Sequence, residues 1–393
     1  MRKKVKISLK MLVLWLLNVP FVSGFAQNEK SKPSIKFGLL LHTYVSSQQN
    51  GFGSSNYDDS YDSWNTNFNL YRARIMSETH LTDKDYVFLE TELTTSLGSS
   101  SDKAASIKIL DASYSHKFSD YFQLTAGKML ASYNRNGLQT ANTLMVNDFT
   151  YYQYPYNMSK EGPLQNDVGR DIGVDLEGSV FKDKLCYRLG AFSGRRDFEN
   201  EDNAPLRTIG RLTYNFLDID KYSGTNLSEG KTLTLGAGFD TQGTYVAYGT
   251  DLYFDYPLFS IGSLTLNTAW SHISGGNDLD ESYSFASMIP TQTTQLLELG
   301  YYIKSLKLQP WIRYEKQDID SQSNQIGNMT KSDFDKLYSG KVLGCGINYF
   351  FNGYKTNLKL SYVSMKKGVT MTSGEIENKT CGQVWMQLQF CIF

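Results

Sequence analysis

Beyond residue 26 the chain has no apolar run approaching the ~20 residues that a membrane-crossing helix needs, so helical spans are excluded. It has only four cysteines: Cys186, Cys345, Cys381 and Cys391. None is spaced for a metal site, and Cys381 and Cys391 share one predicted strand too far apart to bridge, so all four read as small packing residues. It has four histidines: His42, His80, His116 and His272. No GxSxG nucleophile turn, HExxH, P-loop or dinucleotide fingerprint accompanies them, which leaves enzyme chemistry without a candidate and implies no cofactor or metal. The eight prolines form no linker, no heptad run occurs, and the formal net charge is −1. Nucleic acid is therefore not an expected partner.

What is abundant is aromatic and flexible: 27 Tyr, 22 Phe and 32 Gly. With turn-rich, non-helical patterning, that composition points to an all-β protein. The chain opens on Arg2, Lys3, Lys4, Lys6 and Lys10, then an apolar run from Met11 to Val22, then Gly24-Phe25-Ala26. This is the grammar of a secretory signal peptide, residues 1–26, with the mature chain expected to start at Gln27. No cysteine follows the site, which argues against a lipoprotein. Removing the leader leaves 34 Lys+Arg against 40 Asp+Glu, a net charge of −6.

The most informative stretch is 169–195, GRDIGVDLEGSVFKDKLCYRLGAFSGR. Ile172, Val174, Leu176 and Val180 alternate with Asp171, Asp175, Glu177 and Ser179 up to a polar turn at Phe181–Lys184. Leu185, Tyr187, Leu189 and Ala191 then alternate with Cys186, Arg188 and Gly190. Period-two alternation puts apolar side chains on one face and full charges on the other. A wet charged interior facing an apolar exterior suits a membrane barrel. The same pattern predicts sixteen strands over 27–393, near 34–45, 67–79, 84–96, 106–117, 120–130, 169–180, 184–194, 206–216, 231–240, 243–256, 260–273, 293–303, 306–317, 340–350, 354–365 and 381–393. Their connections alternate between short turns and long polar loops, with 217–230 the long exception among the turns and the tight turn after Asp240 the short exception among the loops. This asymmetry is that of short periplasmic turns and long extracellular loops. The acidic loop stretches 56–63 and 276–284 lack EF-hand spacing and read as solvated. Tyr44, Tyr121, Tyr253, Tyr301 and Tyr349, near strand ends, read as interface anchors.

One long irregular segment, 131–168, carries Leu144, Met145, Val146, Phe149, Tyr151, Tyr152, Tyr154 and Tyr156. A loop so long is functional or disordered. Its apolar content leads us to expect that it folds into the barrel and narrows the pore; the alternative is an extracellular cap.

The stretches LYRARIMSETHLTDKDYVFLETEL at 70–93 and 169–195, together with YFQLTAGKML followed by 131–168, resemble the phosphate-selective porin O and P family of Gram-negative outer membranes. The final Phe393 is similar to the terminal aromatic of outer-membrane proteins, although it is out of phase with its strand's apolar face. The resemblance implies an antiparallel sixteen-stranded barrel, a homotrimer, and a lumen whose arginine ladder and lysine cluster draw anions inward.

Alternation places Arg72, Arg74, Arg188, Arg207, Arg211, Arg313, Lys355 and Lys359 on the inner face, with Tyr71 and Ile75 outward. Guanidinium forks aimed into a channel match phosphate or carboxylate oxygens at any pH. The same rule puts Glu90, Glu92, Asp111, Asp171, Asp175, Glu177, Asp251 and Glu298 inside. Arg72 and Arg74 are within cross-strand reach of Glu90 and Glu92, and Arg188 of Asp175 or Glu177. These charges either conduct anions or brace the wall, and the sequence leaves both open. The expected function is passive diffusion of small polar solutes, anions such as phosphate among them, across the outer membrane bilayer. The rival readings are a barrel-type adhesin or complex subunit whose loops carry the function, and a fatty-acid transporter, for which no apolar plug is seen.

Overall fold

The computed structural model describes residues 33–95, 105–153, 169–194, 205–258, 260–275, 289–321, 325–326 and 329–393. The predicted signal peptide, Tyr154 and Tyr156, and the acidic stretch 276–284 lie outside the described residues.

Eighteen strands are present among the described residues: β1 (Ser34–Gln49), β2 (Trp64–His80), β3 (Asp85–Thr95), β4 (Ala105–Ser119), β5 (Phe122–Leu130), β6 (Arg170–Val180), β7 (Leu185–Phe192), β8 (Arg207–Asn215), β9 (Thr232–Gln242), β10 (Tyr245–Leu258), β11 (Gly262–Ser274), β12 (Gln292–Ile303), β13 (Leu308–Ile319), β14 (Gln325–Ile326), β15 (Met329–Thr330), β16 (Gly340–Asn352), β17 (Thr356–Thr370) and β18 (Ile376–Ile392). β14 and β15 pair only with each other; the other sixteen close into one antiparallel barrel, each beside its chain neighbour, with β18 completing the ring on β1. Closure leaves no unpaired sheet edge, which is what a strand in hydrocarbon requires.

Most strand boundaries fall within two residues of the predicted ones, and β1, β2, β17 and β18 run further at the loop end. Pairing continues to Gln49↔Trp64 and to Thr370↔Ile376. The added residues are mostly polar, so the hydrophobic period fades there while backbone hydrogen bonding persists.

The outer face is apolar at the middle of the strands. Ile172, Leu189, Leu212, Leu235, Ile312, Leu343, Leu360 and Leu388 are all exposed. Toward the turn end Phe118, Tyr121, Phe216 and Phe351 are exposed as well. An apolar band with aromatics at its margin is the solvent contact expected of a bilayer-spanning barrel. Leu212→Arg should accordingly destabilise the folded barrel by about 2–4 kcal/mol, as for a cation at mid-membrane. Urea titration of folding into lipid vesicles would measure it, and an unchanged midpoint would remove Leu212 from the lipid face.

Two of the five predicted interface tyrosines turn inward instead. Tyr253 is fully buried, with the Arg135 guanidinium 3.5 Å from its ring centroid. Tyr44 packs on Tyr71 and Trp385, at centroid distances of 5.4 and 4.7 Å. Both share the phase of the polar inner face, so strand-end position alone misassigned them. Tyr71 was predicted outward, yet its hydroxyl donates to Asp148. The cause is a register shift at His42/Thr43, which leaves Tyr71 unpaired between Arg72 and Leu70 and turns it in beside Arg72. Phe393 also follows the inner phase of Gln389 and Cys391; its ring meets Phe88 edge-on at 6.4 Å.

The predicted loop 318–339 contains a helix, α1 (Lys331–Tyr338). The Thr330 hydroxyl caps it by accepting from the Asp333 N–H, and Asp333 and Lys336 complement its dipole. α1 seats on β17 at Gly368, where a Cβ would lie 2.2 Å from the Lys336 carbonyl oxygen.

The buried apolar residues lie inside the ring. One cluster joins Leu40, Met76 and Cys391 of the wall to Ala141, Leu144 and Phe149. Another joins Phe192, Ile209, Tyr245 and Ile273 to Met129, Ala131 and Tyr133.

Candidate functional site

The inner wall is a mosaic of ion pairs. Because every second residue of a strand faces inward, charges on adjacent strands meet across the ladder. The Arg74 guanidinium donates to Glu90 (3.1 Å) and Glu92 (3.2 Å). Arg170 reaches the other Glu90 oxygen and Asp111, both at 2.9 Å. Arg188 pairs with Asp175, and its second nitrogen donates to the Leu130 carbonyl at 2.7 Å. Arg207 lies between Asp240 (Nε to Oδ1, 2.8 Å) and Asp171 (3.3 Å). Arg211 grips Asp251 bidentately at 2.6 and 2.8 Å. Arg313 sits between Glu298 (2.7 Å) and Glu315 (3.4 Å).

Of the eight basic residues predicted to line the lumen, Arg72, Arg74, Arg207, Arg211, Arg313 and Lys359 are buried in the interior. Arg188 also faces inward, paired with Asp175. Lys355 departs from the row. It lies in the turn before Thr356 and is exposed, because alternation does not extend through a turn. Arg72 does not pair with Glu90 or Glu92; its partner is Asp148, at 2.8 Å. Arg170, Asp240 and Glu315 were not singled out from the sequence. Asp240 and Glu315 keep the inner phase of β9 and β13 and were legible there. Arg170 is out of phase with Asp171 and turns inward only as the first residue of its strand, after Gly169 at φ +81°.

Segment 131–153 touches most of this wall. Arg211 donates to the Tyr133 carbonyl (3.2 Å), Asn267 to Asn136 (2.8 Å) and Gln153 to Thr294 (3.0 Å). Arg313 donates to the carbonyls of Phe149 and Asp148, both at 3.2 Å, and Asn348 to that of Met145 (2.6 Å). The Lys359 ammonium is fully buried on the carbonyls of Leu144 (2.5 Å) and Val146 (3.0 Å), and Gln389 donates to that of Asn142 (2.8 Å). Most of these bonds satisfy backbone carbonyls of an irregular segment that has no strand partner.

A second segment, 217–230, enters from the turn end. Thr225 and Asn226 donate to Asp255, both at 3.0 Å, and the Thr225 N–H donates to the Tyr354 hydroxyl at 2.9 Å. It meets segment 131–153 directly. Gly224 N–H donates to the Thr143 carbonyl (2.8 Å), an approach so close that a Cβ on Gly224 would lie 2.3 Å from the Met145 nitrogen. Beside it Arg135 forms a bidentate pair with Asp220, at 2.7 and 3.1 Å, and donates to the Ser223 carbonyl. Burial alone would depress the Arg135 pKa. Asp220, Tyr253 and Asp251 more than offset this and hold it above its ordinary value. The half-buried phenols of Tyr151 and Tyr152 are pushed upward by desolvation.

No family model matches the chain, and no curated protein matches it. Among solved structures it is similar to the anion-selective porin from Comamonas acidovorans, with a TM-score of 0.57, 11% identity, and coverage of 92% of this chain and 100% of that one. It is also similar to the outer membrane channel DcaP of Acinetobacter baumannii (TM-score 0.55, 13% identity, 92% of this chain and 99% of that one). OmpT, an outer membrane protein of Vibrio cholerae, gives a TM-score of 0.51 at 10% identity, over 92% of this chain and 100% of that one. At such identities the likeness is one of architecture: the chain has the closed sixteen-stranded antiparallel barrel of outer-membrane porins.

Proposed function

We propose that the chain is an outer-membrane channel through which small polar solutes diffuse passively. The observation that carries the reading is a closed barrel, apolar outside, whose inner wall is lined by ionised side chains. Such a wall is stable only against water, bound solute or opposite charge. In this reading segment 131–153 is the constriction, with 217–230 packed against it from the turn end. The segment's ties to the walls of β2, β8, β11, β13 and β17 favour a fixed narrowing over a loose cap.

A finer reading, a phosphate-selective pore of the kind the resemblance implies, needs guanidiniums open to an oxyanion. Arg74, Arg207, Arg211 and Arg313 instead face carboxylates at 2.6–3.4 Å, so we propose the broader solute class. The trimer likewise rests on the resemblance alone.

Planar-bilayer recording of the purified protein tests the proposal. Stable ohmic current steps are expected. A detergent-folded barrel that inserts and yields none would favour the adhesin or complex-subunit reading.

A further inference from the structure

We infer that solutes cross this barrel off its axis, along the wall of β2 to β8, and that this passage prefers cations, including small organic cations with an apolar part, with Glu177 setting the preference. The inference rests on the channel reading above and names its solute class.

Two cavities lie along that wall. The larger, about 490 Å³, runs from Arg74 and Phe88 past Asp111 to Arg188, with Gln139–Asn142 and Phe149 of segment 131–153 opposite. The smaller, about 360 Å³, opens at the turn end between Lys117, Asp120, Asn215 and Asp220. Both are bounded by Gln123, Glu177 and Arg188. These three stand side by side on β5, β6 and β7, for Gln123 and Arg188 are the cross-strand partners of Glu177. The cavities therefore adjoin at this row, whose three side chains stand between them. Arg207, Arg313 and Lys359 border neither cavity; they are occupied by wall carboxylates or by the carbonyls of segment 131–153.

The charges on the larger cavity are unequal. Glu78, Glu90, Asp111, Asp175 and Glu177 face Arg74, Arg170 and Arg188, two more carboxylates than guanidiniums. All three guanidiniums are held by carboxylates. Glu177, at the junction, instead accepts from the neutral Gln123 amide at 2.6 Å. Arg188, across the ladder from Glu177, is bound to Asp175, and an ionised carboxylate at such a neck attracts cations and repels anions. Interleaved with the charges, Leu40, Met76, Phe88, Phe149 and Phe393 add apolar surface to the same cavity, Met76 and Phe88 standing across the ladder from Glu90 and Glu78. A cation carrying a hydrocarbon or aromatic group meets both kinds of lining at once, with ring faces adding attraction.

The test uses full-length protein in planar bilayers under a KCl gradient, with benzyltrimethylammonium chloride as the organic probe. Wild type should show a cation-selective reversal potential, and the probe should reduce its current at millimolar concentration. Glu177→Gln, an isosteric change, should cut the K⁺/Cl⁻ permeability ratio several-fold and weaken the block while channels still open. Glu177→Asp should retain cation preference and stands in if the Gln variant does not insert. Anion selectivity in wild type, or a ratio that Glu177→Gln leaves unmoved, overturns the inference and leaves the channel reading intact. Absence of any current overturns both.

Discussion

Replacing residues 136–152 with a short Gly-Ser linker should raise single-channel conductance several-fold. The segment's side chains and backbone occupy the lumen, tied to walls from β2 round to β18, with Leu144, Met145, Val146 and Phe149 almost wholly buried there. Removing them replaces packed atoms with water, and conductance follows the wetted cross-section. The deletion strips partners from Arg72, Arg313 and Lys359. In a dry core that would be prohibitive, but here water fills the vacated space and solvates them. The strand ladder is untouched, so the variant should keep the heat-modifiable gel mobility of a folded barrel. Unchanged conductance in a folded variant would mean that the segment does not limit flow.

The second large effect is expected at Arg135. Its side chain is 0% exposed and that of Asp220 2%, and the pair joins the two segments that meet inside the barrel. Breaking a buried pair by removing one partner costs roughly 3–5 kcal/mol, because the remaining charge is left uncompensated. In Arg135→Met that charge is Asp220. The barrel wall does not depend on the pair, so the cost should appear as undocking of 217–230 from 131–153. Recordings should show frequent transitions to larger current levels, where wild type holds one level. Arg135→Met combined with Asp220→Asn should restore part of the steadiness, since no unpaired charge remains. A quiet single mutant, at wild-type conductance, would show that the pair does not hold the segments together.

The ring of strands was legible because its signal repeats: each strand must show lipid one face and the interior the other, and the period survives local noise. The inner charges of β3, β6, β8 and β13 followed from the same rule. The failures have specific causes. At Tyr71 a single register shift reverses the phase. At Tyr44 and Tyr253, nearness to a strand end was weighed above the phase that their strands displayed. Arg72 found Asp148 because its partner lies in a loop, and periodicity says nothing about where a loop returns. Arg135, Asp148 and Asp220 all belong to such segments, so the ties between 131–153 and 217–230 had no signature in the residue pattern. α1 had one, in Thr330 followed by Asp333, but lay within a stretch read as polar loop.

The Gln389–Asn142 hydrogen bond spans 247 residues of chain, and the Lys359 contacts with Leu144 and Val146 span 215 and 213. Contacts of such sequence separation form late, after the entropy of the intervening chain has been overcome. Sealing the β1–β18 seam and seating segment 131–153 are thereby coupled, since Gln389 takes part in both. A barrel still open at that seam lacks one of the segment's moorings, and the bore acquires its final width only when the seam closes.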